Sequence, residues 1–305
     1  MRRQRTIAEK VTCAGVGLHG GLPAQLTLYP ARANTGIVFV RRDVSPPVEI
    51  PARASAVIST SHATTLACEG NPELRVKTAE HLLAALYALG IDNLRIEIDA
   101  PEVPAMDGSA AAFIDLIRSA GIFIQREARA VLWMRRALQV EDGERSIRIE
   151  PAKELSISYA IEFDHPTIGR QELALARMDA EVFERELAGA RTFGFVAELR
   201  ALLGAGLARG GSLENTLALD EEGVLNAGGL RWPDEFVRHK MLDLLGDLSL
   251  LGISLRGHVR VERGGHTLHH RLVRRILGTP DAWRVSGGEA HAPGALEGAA
   301  QPRRP

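Results

Sequence analysis

The 305-residue sequence predicts an α+β protein in which a strand–strand–helix order occurs twice. Three observations carry that reading. Strand-like segments with alternating or continuous apolar residues open each half of the chain. Helical stretches with recognisable start and stop residues follow them. A segment at 121–129 separates the two runs, and after it the order begins again.

In the first half, residues 25–29 and 37–40 are short, apolar and partly β-branched or aromatic, as strands are. Leu94, Ile96 and Ile98 alternate with Arg95, Glu97 and Asp99, the pattern of a half-buried strand. A helix is predicted over 79–89, with Thr78 as N-cap and Gly90 as its stop. Ser109 similarly caps a helix over 110–120 that Gly121 ends. In the second half, the apolar run 131–140 leads into the turn Glu141-Asp142-Gly143. Ile147 and Ile149 alternate, as do Leu155, Ile157, Tyr159, Ile161 and Phe163. Residues 179–209 are helical in tendency, interrupted by Gly189, Gly194, Gly204 and Gly206, and Gly210-Gly211-Ser212 turns the chain. A last long helix covers 234–248. Beyond Leu277 the composition shifts to Gly, Ala, Pro and charge, so 278–305 is expected to be a disordered tail.

Composition narrows the function classes. Net charge is close to zero, and arginines are spread along the chain rather than gathered in a stripe, so nucleic acid is not expected as a partner. No run of about 18 apolar residues predicts a membrane span. The basic start Met1–Thr6 lacks a following apolar region, which argues against a secretory signal. Cys13 and Cys68 form neither a disulfide framework nor a metal pair, as expected for free thiols in a reducing cytoplasm.

The chemistry concentrates in the 234–248 helix. His239, Lys240, Asp243 and Asp247 fall within an arc of roughly 100° at helical periodicity, and His239 and Asp243 are one turn apart. The remaining faces are Met and Leu. A polar arc on an otherwise apolar helix should line a cleft rather than face water. Gly246 beside it would admit another backbone or a ligand. His81 offers a third ligand, and a His-His-Asp set with an open fourth position suits catalytic zinc. Glu80, next to His81, is placed to take a proton from an activated water. His266 follows Gly264-Gly265 near a tight turn, where Asp247 could orient it as a general acid. Lys240 and the Thr192 hydroxyl could steady a developing oxyanion. His269 and His270, read as neighbours on a strand, point to opposite sides and are not assigned as ligands. Gly15–Gly21 lacks the Lys-Ser/Thr of a phosphate loop and reads as a strand-linking turn, with His19 on the surface or facing substrate.

At these residues the chain resembles the UDP-3-O-acyl-N-acetylglucosamine deacetylases, the zinc amidases of lipid A biosynthesis. The resemblance runs over residues 5–277. It is carried by 15–20, Asn34-Thr35-Gly36-Ile37, 78–86, Gly90-Ile91-Asp92-Asn93, 101–109 (PEVPAMDGS), 190–195, Gly210-Gly211-Ser212 and 234–248. It implies two similar α+β domains, 1–126 and 127–277. Each would be a mostly antiparallel sheet with a helix pair, the helices packed between the sheets and the active site at the domain interface. It implies one zinc per chain on His81, His239 and Asp243, with iron(II) able to take the same set in the cell. Glu80 would be the base and His266 the acid, supported by Asp247, with Thr192 and Lys240 at the carbonyl oxygen or substrate. An insert over 193–219 would form an acyl passage, lined by Phe193, Phe195, Leu199, Ala208, Ser212 and Ala218. Phe163 and Arg263 would contact the uridine diphosphate. The implied substrate is the UDP-acyl-sugar, and the implied protein a cytoplasmic monomer. The chain departs from the family at His269-His270, where paired Asn is usual, at Arg263, where Lys is common, and over 61–65.

Two other readings remain open on the residues alone. A two-histidine-one-carboxylate iron(II) oxygenase uses the same ligand types, but usually as HxD plus a distant His; here His239 and Asp243 share a helix. A binding scaffold with structural zinc needs a closed four-ligand site, and the sequence offers three ligands.

Overall fold

A computed structural model describes residues 2–288. It is α+β, with mostly antiparallel sheets and, among the described residues, six α-helices. These are α1 (Glu80–Leu89), α2 (Ala111–Ser119), α3 (Ala180–Glu186), α4 (Val196–Gly204), α5 (Glu235–Ser249) and α6 (His266–Leu277).

The first half builds a five-stranded sheet in the order Val11–Val16, Pro23–Pro30, Leu94–Ile98, Ile37–Arg41, Val48–Pro51. All neighbours are antiparallel except Ile37–Arg41 with Leu94–Ile98, and α1 lies in the crossover between that parallel pair. The second half builds a seven-stranded sheet. Two of its pairs are parallel, Val131–Met134 and Leu155–Glu162, each with Ser254–Glu262, and the chain joining the second pair holds α3, α4 and α5. The recurrence expected from sequence is therefore a recurrence of topology, a parallel pair bridged by helix, without residue-level repetition. A three-stranded sheet (Val57–Ser59, Thr65–Cys68, Asn71–Val76) is added to the first half. A short parallel pair (Phe193–Phe195, Leu217–Leu219) is added to the second.

Helices α1 and α5 pack on one another in the interior. Leu82, Leu83, Leu86 and Leu89 of α1 are buried, as are Phe236, Val237, Met241, Leu242, Leu244, Leu245 and Leu248 of α5. Each such side chain contributes about 1.5–3 kcal/mol of apolar transfer free energy. The close approach is made possible by Gly246. A Cβ there would lie 2.2 Å from the Glu80 carbonyl oxygen and 2.9 Å from its Cα. Backbone cannot yield as a flexible side chain does. Gly246→Ala is therefore expected to cost about 1–3 kcal/mol or more of folding stability, read by urea denaturation; an unchanged midpoint would contradict this helix contact.

Several local expectations are corrected. The N-cap of α1 is Ala79, without a side-chain cap bond. Thr78 instead takes a left-handed φ of 55° and its hydroxyl donates to Glu102 Oε1 at 2.7 Å. Ser109 lies one residue outside the N-cap of α2, Ala110, and its Oγ accepts from Ala111 N at 3.2 Å. The separating segment contains a strand, Ile122–Ala128, paired with Arg3–Ile7. The apolar run 131–140 is two strands, Val131–Met134 and Leu138–Asp142, because Arg135 and Arg136 turn away to bond the Ala282 carbonyl. The expected tail begins too early. Residues 280–282 form a 3-10 turn, and Trp283–Ser286 is an edge strand on Val131–Met134, held by Trp133 Nε1 to Ser286 Oγ at 2.8 Å. The rest of the expected tail, 289–305, lies outside the described residues. Within 179–209 the helix breaks for Phe193–Phe195, whose aromatic, glycine-spaced sequence suits an extended strand better than a helix.

Candidate metal centre and active site

Three side chains from two helices meet at one point. His81 is in the first turn of α1; His239 and Asp243 are one turn apart on α5. All three are buried. Asp243 Oδ1 lies 3.4 Å from His239 Nε2 and 3.6 Å from His81 Nε2, and the two rings stand edge to face at 5.0 Å. The other ends of these groups are tied down. His239 Nδ1 donates to the Ala190 carbonyl at 3.0 Å, leaving Nε2 a bare lone pair. Lys240 Nζ holds Asp243 Oδ2 at 2.8 Å, while Oδ1 is buried without any hydrogen-bond donor.

An unpartnered buried carboxylate oxygen facing a bare imidazole nitrogen is costly unless a cation joins them. Ligand atoms about 2.0–2.2 Å from a tetrahedral zinc are roughly 3.4 Å apart, which matches these spacings. The residues therefore fit a divalent cation. Burial, against the pull of Asp243, lowers His239 to about 3, so it is neutral and competent to bind metal at ordinary pH. Burial alone would raise Asp243, but His239 and Lys240 outweigh it and hold the carboxylate well below its usual range.

A second group borders the first. His266 Nε2 is 3.7 Å from Glu80 Oε1 and 3.8 Å from Asp243 Oδ2. Glu80 is held through Oε2 by the Thr64 amide at 3.0 Å. Burial pushes the Glu80 carboxyl up, opposed by His266 and His81. His266 Nδ1 is 2.7 Å from Asp247 Oδ2. Burial opposes the charge on His266, but the Asp247 carboxylate prevails and pushes it up to about 9. Asp247 is itself held well below the carboxylate range: burial would raise it, but His266 and His270 outweigh that. Asp247, His266 and His269 are close enough together to resemble a second ligand set. Their contacts of 2.7 and 2.8 Å are those of N–H···O hydrogen bonds, not of lone pairs awaiting a cation.

The proton on His266 couples folding stability to pH. Its unfolded value is near 6.5, so the fold gains stability from the bound proton fully below pH 6.5. That gain is lost as pH rises from 6.5 through about 9. The metal-free protein is expected to lose melting temperature over that interval, and His266→Gln to flatten the loss. A parallel decline in both proteins would contradict the ion pair.

Residues 4–278 match the family model described as LpxC, UDP-3-O-acyl N-acetylglycosamine deacetylase. The UDP-3-O-acyl-N-acetylglucosamine deacetylase of Myxococcus xanthus is 49% identical over 282 residues, 92% of this chain and 88% of that protein. Those of Anaeromyxobacter sp. and Pseudomonas entomophila are 47% and 46% identical, each alignment covering more than nine-tenths of both chains. The chain belongs to the UDP-3-O-acyl-N-acetylglucosamine deacetylase family.

The other residues expected at the site are placed as follows. Thr192 directly precedes the strand Phe193–Phe195; its amide donates to the Gly108 carbonyl, and no hydrogen bond joins its hydroxyl to another described residue. Lys240 lies 5.5 Å from the Phe193 ring centre as well as on Asp243. Phe193 reaches Phe163, Phe195, Phe236 and His239, forming an aromatic patch beside the ligand set. Leu199, Val196 and Leu203 are exposed on α4, which buries no residue. Ala218 pairs with Gly194 between the short parallel strands. Ala208 N donates to His19 Nδ1 at 3.4 Å, while Ser212 is an exposed turn residue. His19, expected at the surface or facing substrate, is buried where the 193–219 segment docks on the Gly15–Gly21 turn. Arg263 is ion-paired to Glu144 and Glu162, so a phosphate there would have to compete with two carboxylates.

Two placements differ from expectation. His266, expected near a tight turn, follows Gly264-Gly265 as the first residue of α6. His269 and His270 are therefore on a helix, not a strand, and both turn towards Asp247. The i, i+3, i+4 spacing was the available signal; the strand assignment hid it. Thr64 was missed altogether. It is fully buried, and its hydroxyl donates to Asp247 Oδ1 at 2.6 Å while its amide holds Glu80. Nothing about a threonine in a polar loop signals such a role.

No helix among the described residues is long and apolar enough to cross a membrane. Cys13 and Cys68 are free thiols, as expected.

Proposed function

We propose that this protein hydrolyses the N-acetyl group of a UDP-3-O-(3-hydroxyacyl)-N-acetylglucosamine, releasing acetate, in an early committed step of lipid A biosynthesis. The observation that carries this reading is the convergence of His81, His239 and Asp243 on one point, with His266 3.8 Å from Asp243 and 3.7 Å from Glu80. Those three residues would hold one zinc, with iron(II) a substitute in the cell. When bound, the metal supplies Lewis acidity and lowers the pKa of a water in its open position.

The chain's own groups then divide the proton work. Glu80 takes the proton of the attacking water; burial raises it towards the range a general base needs, and the Thr64 amide fixes its direction. His266 is protonated at neutral pH and its Nδ1 is engaged by Asp247, so Nε2–H is the proton available to the leaving amine. Lys240 and Thr192 polarise the acetyl carbonyl. The exposed apolar face of α4, with Leu199, continues the aromatic patch of Phe163, Phe193 and Phe195, and suits an acyl chain leaving the site. Ala208, Ser212 and Ala218 complete that passage, and Arg263 meets the diphosphate. In this reading the ligands come from two α+β domains, 1–126 and 127–277, in a cytoplasmic monomer.

The test is direct: purified protein, loaded with zinc and given the UDP-acyl-sugar, is assayed for acetate. Stoichiometric acetate and free amine support the reading. Absence of both from a zinc-loaded, folded sample refutes it.

A further inference from the structure

Asp247 receives more partners than a simple acid–base dyad requires. Oδ2 lies 2.7 Å from His266 Nδ1 and 2.8 Å from His269 Nδ1. Oδ1 accepts the Thr64 hydroxyl at 2.6 Å and lies 3.2 Å from His270 Nε2. Thr64 Oγ1 and His270 Nε2 are themselves 3.1 Å apart. Asp247, Thr64 and His269 are fully buried. An ionised carboxylate has about four lone-pair sites; here three accept hydrogen bonds, from His266, His269 and Thr64, and His270 stands 3.2 Å from Oδ1.

His269 is fixed from its far side. Its Nε2 is 2.9 Å from the hydroxyl of Tyr159, a buried residue of the strand Leu155–Glu162. With Tyr159 donating to Nε2, His269 must carry its proton on Nδ1, aimed at Asp247. Gly264 keeps that line open: a Cβ there would stand 2.8 Å from the Tyr159 hydroxyl and 3.3 Å from His269 Nε2. A buried imidazole is costly unless both nitrogens are engaged, and both of these are engaged along a line that ends at the acid.

We propose that His269 is a positioning residue for His266. It shares the Asp247 oxygen used by His266, and Tyr159 behind it prevents the carboxylate from turning away. Thr64 holds the other oxygen, with His270 against the Thr64 hydroxyl. Rotation of the Asp247 carboxylate would break all three hydrogen bonds at once, so the direction of His266 Nε2–H is set from the core. This inference rests on the deacetylase reading for its kinetic test and on geometry alone for its spectroscopic one.

The experiment compares zinc-loaded His269→Leu, His269→Asn and Tyr159→Phe with the parent. Leucine fills the space without a donor; asparagine can return an N–H near the Nδ1 position. His269→Leu is expected to lower kcat about 10- to 100-fold, with KM and zinc content within about twofold. His269→Asn should recover most of the loss, and Tyr159→Phe should fall between. In proton NMR spectra the hydrogen-bonded His266 Nδ1–H resonance should move in His269→Leu and return in His269→Asn. Equal kcat for the leucine and asparagine variants, or a loss confined to KM or zinc content, would overturn the proposal. If His269→Leu does not fold, Tyr159→Phe decides: unchanged kcat with an unmoved His266 signal overturns it. A parent without deacetylase activity would sink the functional reading, while the NMR comparison would still support or overturn the positioning.

Discussion

Glu80→Gln is expected to lower kcat by about two to four orders of magnitude while leaving zinc content and fold intact. The substitution keeps the side-chain length and an oxygen that can still accept the Thr64 amide, which donates to Oε2 at 3.0 Å. It removes only the ability to take a proton. Glu80 does not belong to the His81, His239 and Asp243 set, so the metal should remain. The pH profile should change with the rate. The limb set by Glu80, raised by burial and opposed by His266 and His81, should disappear from kcat/KM. A variant with parental turnover and full zinc would remove Glu80 from the chemistry and leave His266 as the only proton carrier at the site.

The other large effect concerns the ligands. His239→Ala should reduce bound zinc to less than one per several chains and bring acetate release to background. Chelation of the parent should do the same, and added zinc should restore the chelated parent but not the variant. The reason is local. His239 Nε2 is one of two imidazole nitrogens within 4 Å of the orphaned Asp243 oxygen, and its tautomer is fixed by the Ala190 carbonyl. Binding also stabilises the fold: at a free-zinc concentration about a thousand times Kd the gain is about 4 kcal/mol. The chelated parent should therefore melt at a lower temperature than the loaded one, whereas His239→Ala should melt at the same temperature with and without zinc. A variant that retained stoichiometric zinc would show that the cation is held elsewhere.

Much of this was legible in the residues. The α5 arc could be read because helical periodicity alone places His239 and Asp243 together and because Leu and Met fill every other face. Gly246 could be read as a point of close approach, although only the structure shows that the approaching backbone is that of Glu80. The pairing of His81 with His239 is a long-range contact that periodicity cannot give; it followed from ligand chemistry and from the family resemblance. Local pattern failed where tertiary contacts overrode it. Thr78 has the chemistry of an N-cap but is recruited by Glu102. The 131–140 run is uniformly apolar yet breaks at Arg135, because the chain returning near Ala282 offers a carbonyl. That return was itself hidden by a glycine- and alanine-rich composition that reads as disorder. His269 and His270 were set aside on the wrong periodicity: a period of two separates neighbours, whereas the helical period gathers 266, 269 and 270 on one face.

The central proposal is one cation shared by the two halves of the chain. X-ray absorption at the zinc edge of the loaded protein tests this most directly. The expected spectrum has a shell of four light atoms at about 2.0–2.1 Å, with outer scattering from two imidazoles that falls to one in His81→Ala if metal is retained by excess zinc. A shell containing sulfur, or one whose imidazole scattering is the same in the parent and in His81→Ala, would contradict it.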